Sequence, residues 1–115
     1  MPSAKSRRSS DQWSWGTALE ILRLPDGKMA GKTLASQTEQ AYKNILAILK
    51  EVGATQENVV KQTIYMVKGQ DIKEGYAATQ KAWGNYPTAI SAVFVESLGV
   101  PGALVEIEAT AVVNK

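Results

Sequence analysis

Glu106 and Glu108 are the residues of this sequence whose type and spacing best suit acid–base chemistry. They stand two positions apart in "ALVEIEATAVV", where apolar and polar residues alternate as in a β-strand, so both carboxylates point to one side. Two carboxylates so placed can act as general acid and general base. The same spacing is equally typical of the exposed side of a strand, and both interpretations stay open.

The chain contains no histidine and no cysteine. This composition excludes disulfides, thiolate nucleophiles, catalytic triads that need histidine, and zinc sites built from histidine or cysteine. Chemistry near neutral pH must therefore use carboxylates, lysine, tyrosine, hydroxyl groups or bound water. We predict no cofactor and no metal site.

The charge of the chain does not favour a nucleic-acid partner. The formal net charge is +2, but Lys5, Arg7 and Arg8 lie in a Ser-rich N-terminal segment, and without them 10 basic residues face 11 acidic ones. We predict a disordered basic tail over residues 1–10, a single domain over residues 11–115, and no nucleic-acid partner. A phosphate-contacting arm is the less favoured interpretation of the tail.

The hydropathy of the chain does not predict a membrane protein. No apolar run approaches the ~20 residues that span a bilayer, and the N-terminal residues lack the apolar core of a signal peptide. We therefore expect a cytoplasmic location and no membrane partner.

Two amphipathic helices are predicted from apolar spacing and end signals. The first begins at Ser36 and ends at Gly53, and the second begins at Asp71. In each helix, a Glu three positions after the first residue completes a capping box. The second helix has a predicted apolar stripe of Ile72, Tyr76, Thr79 and Trp83.

The strands complete an α+β fold. "NVVKQTIYMV" is a predicted strand, and "AISAVFVESL" and "ALVEIEATAVV" are predicted to pair as an antiparallel hairpin across the short "GVPG". "TALEILRLPDGKMAG" predicts a strand, a turn and a short partner strand. The order is ββαβαββ, a mostly antiparallel sheet with both helices packed on one face.

From residue 33 to residue 113 the sequence resembles the RidA/YjgF family. The resemblance rests on "QTEQAYKNI", on the Gly-Ala link to "NVVK", and on the terminal "ALVEIEA". It implies a chorismate-mutase-like α+β fold and a homotrimer with small-molecule pockets in the clefts between subunits. Its best-attested members hydrolyse enamines and imines such as 2-aminoacrylate to 2-keto acids and ammonia.

The resemblance assigns roles to particular positions. In the family, a strand beginning P-A-R-S carries an Arg that binds the substrate carboxylate, and this position falls on Ile90 in "PTAIS". A family Cys two positions later matches Ala92, and a Tyr near the N-terminus matches Trp15. The glutamate that positions the attacking water matches Glu106, the candidate catalytic residue. Asn85, in the segment before this strand, is a further candidate substrate contact.

Two departures from the family pattern shape the predicted function. An aliphatic Ile90 cannot make the paired charge-assisted hydrogen bonds of a guanidinium to a carboxylate, and the sequence does not place Lys81 or Lys28 as substitutes. The chain also passes from "EILRL" directly to "PDGKMAG", so one N-terminal strand of the family is expected to be missing.

We therefore expect a small-molecule-binding protein of the imine deaminase lineage whose activity toward 2-aminoacrylate is weak or lost. Ile90 either lines a pocket for a neutral ligand or has become part of the core. Three alternatives remain: a hydrolase of a less anionic imine that uses Glu106 and water, a non-catalytic ligand sensor, and, least favoured, a ribonuclease or translation inhibitor.

Overall fold

The fold is known from a computed structural model, which describes the backbone of residues 7–8, 13–21 and 30–114 and the side chains of residues 30–112. The element order of these residues is ββαβαββ; from the first helix onward it is the predicted order, whereas the first strand, at Arg7–Arg8, is not one that the sequence predicts. The elements are β1 (Arg7–Arg8), β2 (Trp13–Ile21), α1 (Leu34–Glu51), β3 (Val59–Val67), α2 (Ile72–Trp83), β4 (Ala89–Val95) and β5 (Val105–Asn114), with a 3-10 turn (Gln56–Asn58) before β3.

The sheet has the strand order β1-β2-β5-β3-β4. The predicted hairpin of the last two strands is wrong, because β4 pairs in parallel with β3 while β5 pairs antiparallel with the other edge of β3. The physical reason is the crossover helix α2, which returns the chain to the end of the sheet where β3 began, so that β4 runs in the same direction. Residues 96–104 then carry the chain past β3 to the position of β5.

The N-terminal strands differ from the prediction. β2 lies antiparallel to β5, and Arg7 and Arg8 pair with its Trp15 and Ser14 as the short β1, so these two residues of the predicted tail are in a strand. The rest of residues 1–10 lies outside the described residues, and so do most of the predicted turn and partner strand at residues 22–29. The loss of one family strand therefore stays a prediction.

The two helices begin with different caps. α2 begins at Asp71, as predicted, and the Asp71 side chain accepts a backbone N–H of the first turn. α1 begins earlier than predicted, because the Thr33 hydroxyl accepts the Ser36 backbone N–H at 3.1 Å and makes Thr33 the N-cap. Glu74 does not close a box in its own helix; its Oε2 accepts the Ala35 N–H at 2.9 Å and so connects α2 to the start of α1.

The core lies between the two helices and one face of the sheet. Alternate residues of β5 are buried there, as the sequence predicts, and the residues between them are half-buried on the opposite, open face. The core residues are Leu34, Ala41, Tyr42, Ile45, Leu49, Ala54, Val59, Met66, Trp83, Val105, Ile107, Ala109 and Ala111.

The stripe predicted for α2 is correct for Thr79 and Trp83 and wrong for Ile72 and Tyr76. Ile72 and Tyr76 are 50% and 66% exposed, and the helix packs instead through its smaller residues. At Gly75 an added Cβ would stand 3.2 Å from Leu34 Cδ2, so the absence of a side chain there permits the close approach of α2. The two exposed apolar residues are therefore available to line a surface groove.

The buried Gln37 side chain connects the segment before α1 to the segment before β5. Its Nε2 donates to the carbonyls of Gly31 and Gly102 at 3.2 and 3.1 Å, and its Oε1 accepts the Leu104 N–H at 2.8 Å. All three bonds satisfy backbone groups that β-pairing leaves free. Gln37 thus fixes where β5 enters the sheet.

Candidate functional site

A groove lies between α2 and β4, on the helix side of the sheet, with a cavity volume of about 220 Å³. β3 forms its floor, α2 and β4 form its walls, and α1 closes its inner end. We call it the α2–β4 groove. Its apolar lining consists of Ile64, Met66, Ile72, Tyr76, Ile90 and Ala92.

Strand pairing explains why Ile90 and Ala92 face this groove. In the parallel pair of β3 and β4, Ile90 stands beside Gln62 and Ala92 beside Ile64, and paired residues point to the same side of a sheet. Because Gln62 and Ile64 face the helices, Ile90 and Ala92 do so too. β4 is the edge strand, which leaves 47% of Ile90 uncovered in the single chain.

No charged side chain lines the α2–β4 groove among the residues that the structure describes. Lys81, one possible replacement for the family Arg, lies in a separate hollow between α1 and α2, where its Nζ is 3.4 Å from Glu39 Oε2. Lys28, the other possibility, lies outside the described residues. Among the described residues of one chain, therefore, no positively charged side chain is placed to bind a ligand in the groove.

The inner end of the groove carries hydroxyl groups. Thr79 hydrogen-bonds to Tyr42, whose hydroxyl donates to Gln62 Oε1 at 2.7 Å. Burial raises the pKa of Tyr42 to about 12, although the bond from Thr79 opposes the shift, so the phenol is protonated at neutral pH. Thr38 is only 2% exposed, and its Oγ1 has no hydrogen-bond partner among the described residues.

Glu106 lies on the open face of the sheet. Pairing places it beside Tyr65 of β3 and beside Ile21 of β2. Partial burial raises the pKa of Glu106, and repulsion from the Glu108 carboxylate adds to the shift. The Tyr65 hydroxyl donates to Glu108 Oε1 at 3.4 Å, and this carboxylate is the largest cause of a raised pKa at Tyr65. Glu106 thus has one property of an acid–base group.

The structure brings together only some of the predicted site residues. Ile90 and Ala92 meet in the groove, whereas Glu106 lies on the other face with the sheet between them. Asn85 is exposed in the link from α2 to β4 and is outside the groove lining. The backbone of Trp15 lies in β2 opposite Val112, but its side chain is outside the described residues.

Sequence reasoning missed the buried polar groups behind the groove. The signal for Gln62 was present, because it is a polar residue on the inward-facing side of β3. Thr38 and Tyr42 are four positions apart on α1 and therefore share a helix face, but their burial depends on how closely α2 packs. Trp83, predicted on the apolar stripe of α2, is a core residue whose ring centroid is 5.6 Å from that of Tyr42.

Two kinds of feature are absent from the part of the chain that the structure describes. No cluster of three or more His, Cys, Asp or Glu side chains is placed to hold a metal ion. No helix in that part is long and apolar enough to span a bilayer.

The fold and the groove define an α+β protein with a small-molecule-sized cavity against the edge of a mostly antiparallel sheet. The family model described as "Endoribonuclease L-PSP" matches residues 21–113. The chain therefore belongs to the RidA/YjgF family, as its motifs predict, and the predicted fold class is confirmed.

Relatives of known sequence or structure agree with this assignment. A Lactococcus lactis protein described provisionally as the regulator AldR is 37% identical over 90 residues, which are 77% of this chain and 70% of that protein. The crystal structure of Rv2704 from Mycobacterium tuberculosis, a member of the YjgF/YER057c/UK114 family, has 30% identity and a TM-score of 0.74 over 94% of this chain and 84% of its own. The Rid protein YyfB from Yersinia pestis, of unknown function, has 28% identity and a TM-score of 0.76 over 93% and 83%.

Proposed function

We propose that this protein binds a neutral small molecule in the α2–β4 groove and has weak or no deaminase activity toward 2-aminoacrylate. The observation that carries the proposal is Ile90 in the groove wall, with no charged side chain in the described lining. The Lactococcus relative, described as a regulator rather than as an enzyme, is consistent with a binding role.

The energetic argument concerns the carboxylate of an anionic substrate. A hydrogen bond to a charged group contributes about 1.5–3 kcal/mol, which corresponds to roughly ten- to more than a hundredfold in affinity. Ile90 is half exposed, so water can partly solvate an anion beside it and the smaller value applies. A neutral ligand loses nothing by the absence of the guanidinium and gains contact with the apolar walls.

We further propose that the complete pocket lies between subunits of a homotrimer, as the family resemblance implies. The outer side of the groove is open to solvent in one chain. Three of its apolar lining residues, Ile72, Tyr76 and Ile90, are 50%, 66% and 47% exposed there. A pocket that contains both the groove and Glu106 must take them from two copies, because the sheet separates them within one copy. The neighbouring copy would then supply the missing wall.

The test is a coupled assay in which 2-aminoacrylate is generated in place and keto-acid release is followed with and without the purified protein. We expect release at the background rate. Release well above background that disappears in Glu106→Gln would contradict the loss of activity and would favour an active deaminase.

Glu106 supports a second candidate function, the hydrolysis of a less anionic imine. Its raised pKa suits a group that positions and deprotonates water. The probe is N-benzylidenemethylamine, a neutral imine whose hydrolysis releases benzaldehyde with a change in absorbance. This candidate predicts accelerated hydrolysis that Glu106→Gln abolishes without changing the oligomeric state, whereas a pure binding protein gives no acceleration in either form.

Ribonuclease activity is the least favoured candidate, despite the description of the family model. No Lys or Arg side chain lines the groove among the described residues. Nucleic-acid binding depends mainly on contacts between such side chains and phosphates. We expect RNA incubated with the protein to remain intact, with a heat-treated sample as the control.

A further inference from the structure

We infer that the ligand of the α2–β4 groove is a small neutral carbonyl compound whose oxygen accepts a hydrogen bond from the Thr38 hydroxyl. This inference rests on the proposed function, because it assumes that the groove is the binding site, and it adds the chemical class of the ligand and the residue that recognises it.

Thr38 is the buried polar residue of the groove lining whose side chain has no hydrogen-bond partner among the described residues. It lines the cavity and is 2% exposed, and its Oγ1 forms no hydrogen bond with any residue that the structure describes. Buried hydroxyls in native proteins are almost always hydrogen-bonded, and each exception needs an explanation. A ligand oxygen in the adjoining cavity supplies the missing partner.

The neighbouring polar groups favour a carbonyl over other neutral groups. Thr79 is already bonded to Tyr42, and Gln80 is exposed at the rim of the groove. Gln62 Nε2, beside Ile90 on the helix side of the sheet, is a second buried atom without a partner among the described residues, and it can only donate, whereas the Thr38 hydroxyl can donate or accept. A ligand group that only accepts can therefore bond to either of them, whereas the donor of an alcohol or amine could not bond to Gln62 Nε2. A ketone or aldehyde brings only acceptor lone pairs, and the Thr38 hydroxyl can donate to them.

The size and lining of the cavity define the rest of the ligand. A cavity of about 150 Å³ lined by apolar side chains accommodates benzene. The groove, at about 220 Å³, has room for such a ring with a short substituent. Ile64, Met66 and Ile90 then provide apolar contacts for the ring, and the carbonyl is directed toward α1.

Three probes of similar shape test the inference with the full-length chain. Acetophenone has the ring and the carbonyl, ethylbenzene lacks the oxygen, and benzoate replaces the ketone with an anion. Binding is followed by NMR titration of the backbone amides of Gly75, Ile90 and Ala92, which lie in the groove. We expect acetophenone to shift these amides more strongly than ethylbenzene, and benzoate to leave them unchanged.

Two variants distinguish the effect of the Thr38 hydroxyl from that of the side-chain shape. Thr38→Val keeps the shape and removes the hydroxyl, whereas Thr38→Ser keeps the hydroxyl and removes the methyl group. Loss of one neutral hydrogen bond is expected to weaken acetophenone binding about five- to tenfold in Thr38→Val, while ethylbenzene binding is unchanged. Thr38→Ser should retain most of the affinity. Thr63→Val, which removes a hydroxyl from the open face of the sheet, is the matched control and should bind acetophenone as the wild type does.

The outcomes distinguish this inference from the proposed function. If Thr38→Val binds acetophenone as tightly as the wild type does, the role of Thr38 is overturned while a neutral-ligand groove stands. If benzoate binds best, or if no probe shifts the groove amides, the proposed function fails and the inference fails with it. If Thr38→Val changes the oligomeric state, Thr38 serves an interface between copies and the inference is also overturned.

Discussion

Ile90 and Glu106 lie on opposite faces of one sheet, two strands apart. Ile90 stands beside Gln62 and Glu106 beside Tyr65, and residues three positions apart along β3 point to opposite sides. The wall of the α2–β4 groove and the candidate catalytic carboxylate therefore cannot meet within one chain. Any pocket that uses both must be assembled from two copies.

Self-association is the first prediction from this geometry. We expect sedimentation at micromolar concentration to give three times the chain mass of 12.4 kDa. Glu106→Gln should sediment in the same way, because this substitution removes a charge from the open face without changing its shape. A protein that remains monomeric at tens of micromolar would exclude a pocket shared between copies.

Restoring a cation in the groove wall should restore binding of an anion. In Ile90→Arg the guanidinium can reach a carboxylate with two hydrogen bonds, and we expect pyruvate to bind at least about tenfold more tightly than to the wild type. Isothermal titration calorimetry measures the difference. Ile90→Gln, which is polar but uncharged, is the matched control and should bind pyruvate no better than the wild type. Equal affinities for the Arg and Gln variants would show that the carboxylate is bound elsewhere.

Because the Tyr42 hydroxyl is buried, the free energy of unfolding should fall as the pH rises above 10. Its pKa is about 12 in the folded chain against the ordinary value of 10.0, so the unfolded chain loses its proton first as the pH rises. The stabilisation is complete below pH 10 and is lost between pH 10 and pH 12, at about 1.4 kcal/mol per pH unit. Tyr42→Phe lacks this group and should lose less stability over the same range.

Urea unfolding of both forms at several pH values gives the comparison. At pH 7, Tyr42→Phe should be less stable by about 1–3 kcal/mol, because Gln62 Oε1 loses its buried donor. The difference between the two forms should then shrink above pH 10, since titration of the lysines is common to both and cancels. A difference that stays constant up to pH 11.5 would mean that Tyr42 ionises as freely in the folded chain as in the unfolded one.

The Gln37 amide should be necessary for the attachment of β5. Gln37→Met keeps the length of the side chain but leaves the Leu104 N–H and two carbonyls without their partner, and we expect a loss of about 2 kcal/mol or more. Hydrogen exchange at the Leu104 amide should accelerate. Gln40→Met, on the same helix, removes only a bond to Asn44 within the helix and should cost about 0.5 kcal/mol or less. Equal losses of stability in the two variants would show that the hydrogen bonds of Gln37 contribute no more to stability than the bond of Gln40 within the helix.

Local patterns in the sequence determined much of the fold. The alternation along β5 correctly predicts its buried and half-buried faces, and Asp71 is correctly predicted as the cap of α2, because each depends only on residues nearby in the chain. Ile90 and Ala92, which the family motifs place in one site, both line the groove, and their role in binding a ligand stays a prediction.

Pairing and packing between distant segments decided what the sequence alone did not. β4 pairs with β3 rather than with β5, and the Glu74 carboxylate bonds to Ala35 at the start of α1 rather than within its own helix. Whether Ile90 and Glu106 face the same side, and whether the Thr38 hydroxyl finds a partner, depends on these long-range contacts. A periodic pattern fixes which residues of a strand share a side, but the neighbour and register of that strand follow from the free energy of the whole assembled core.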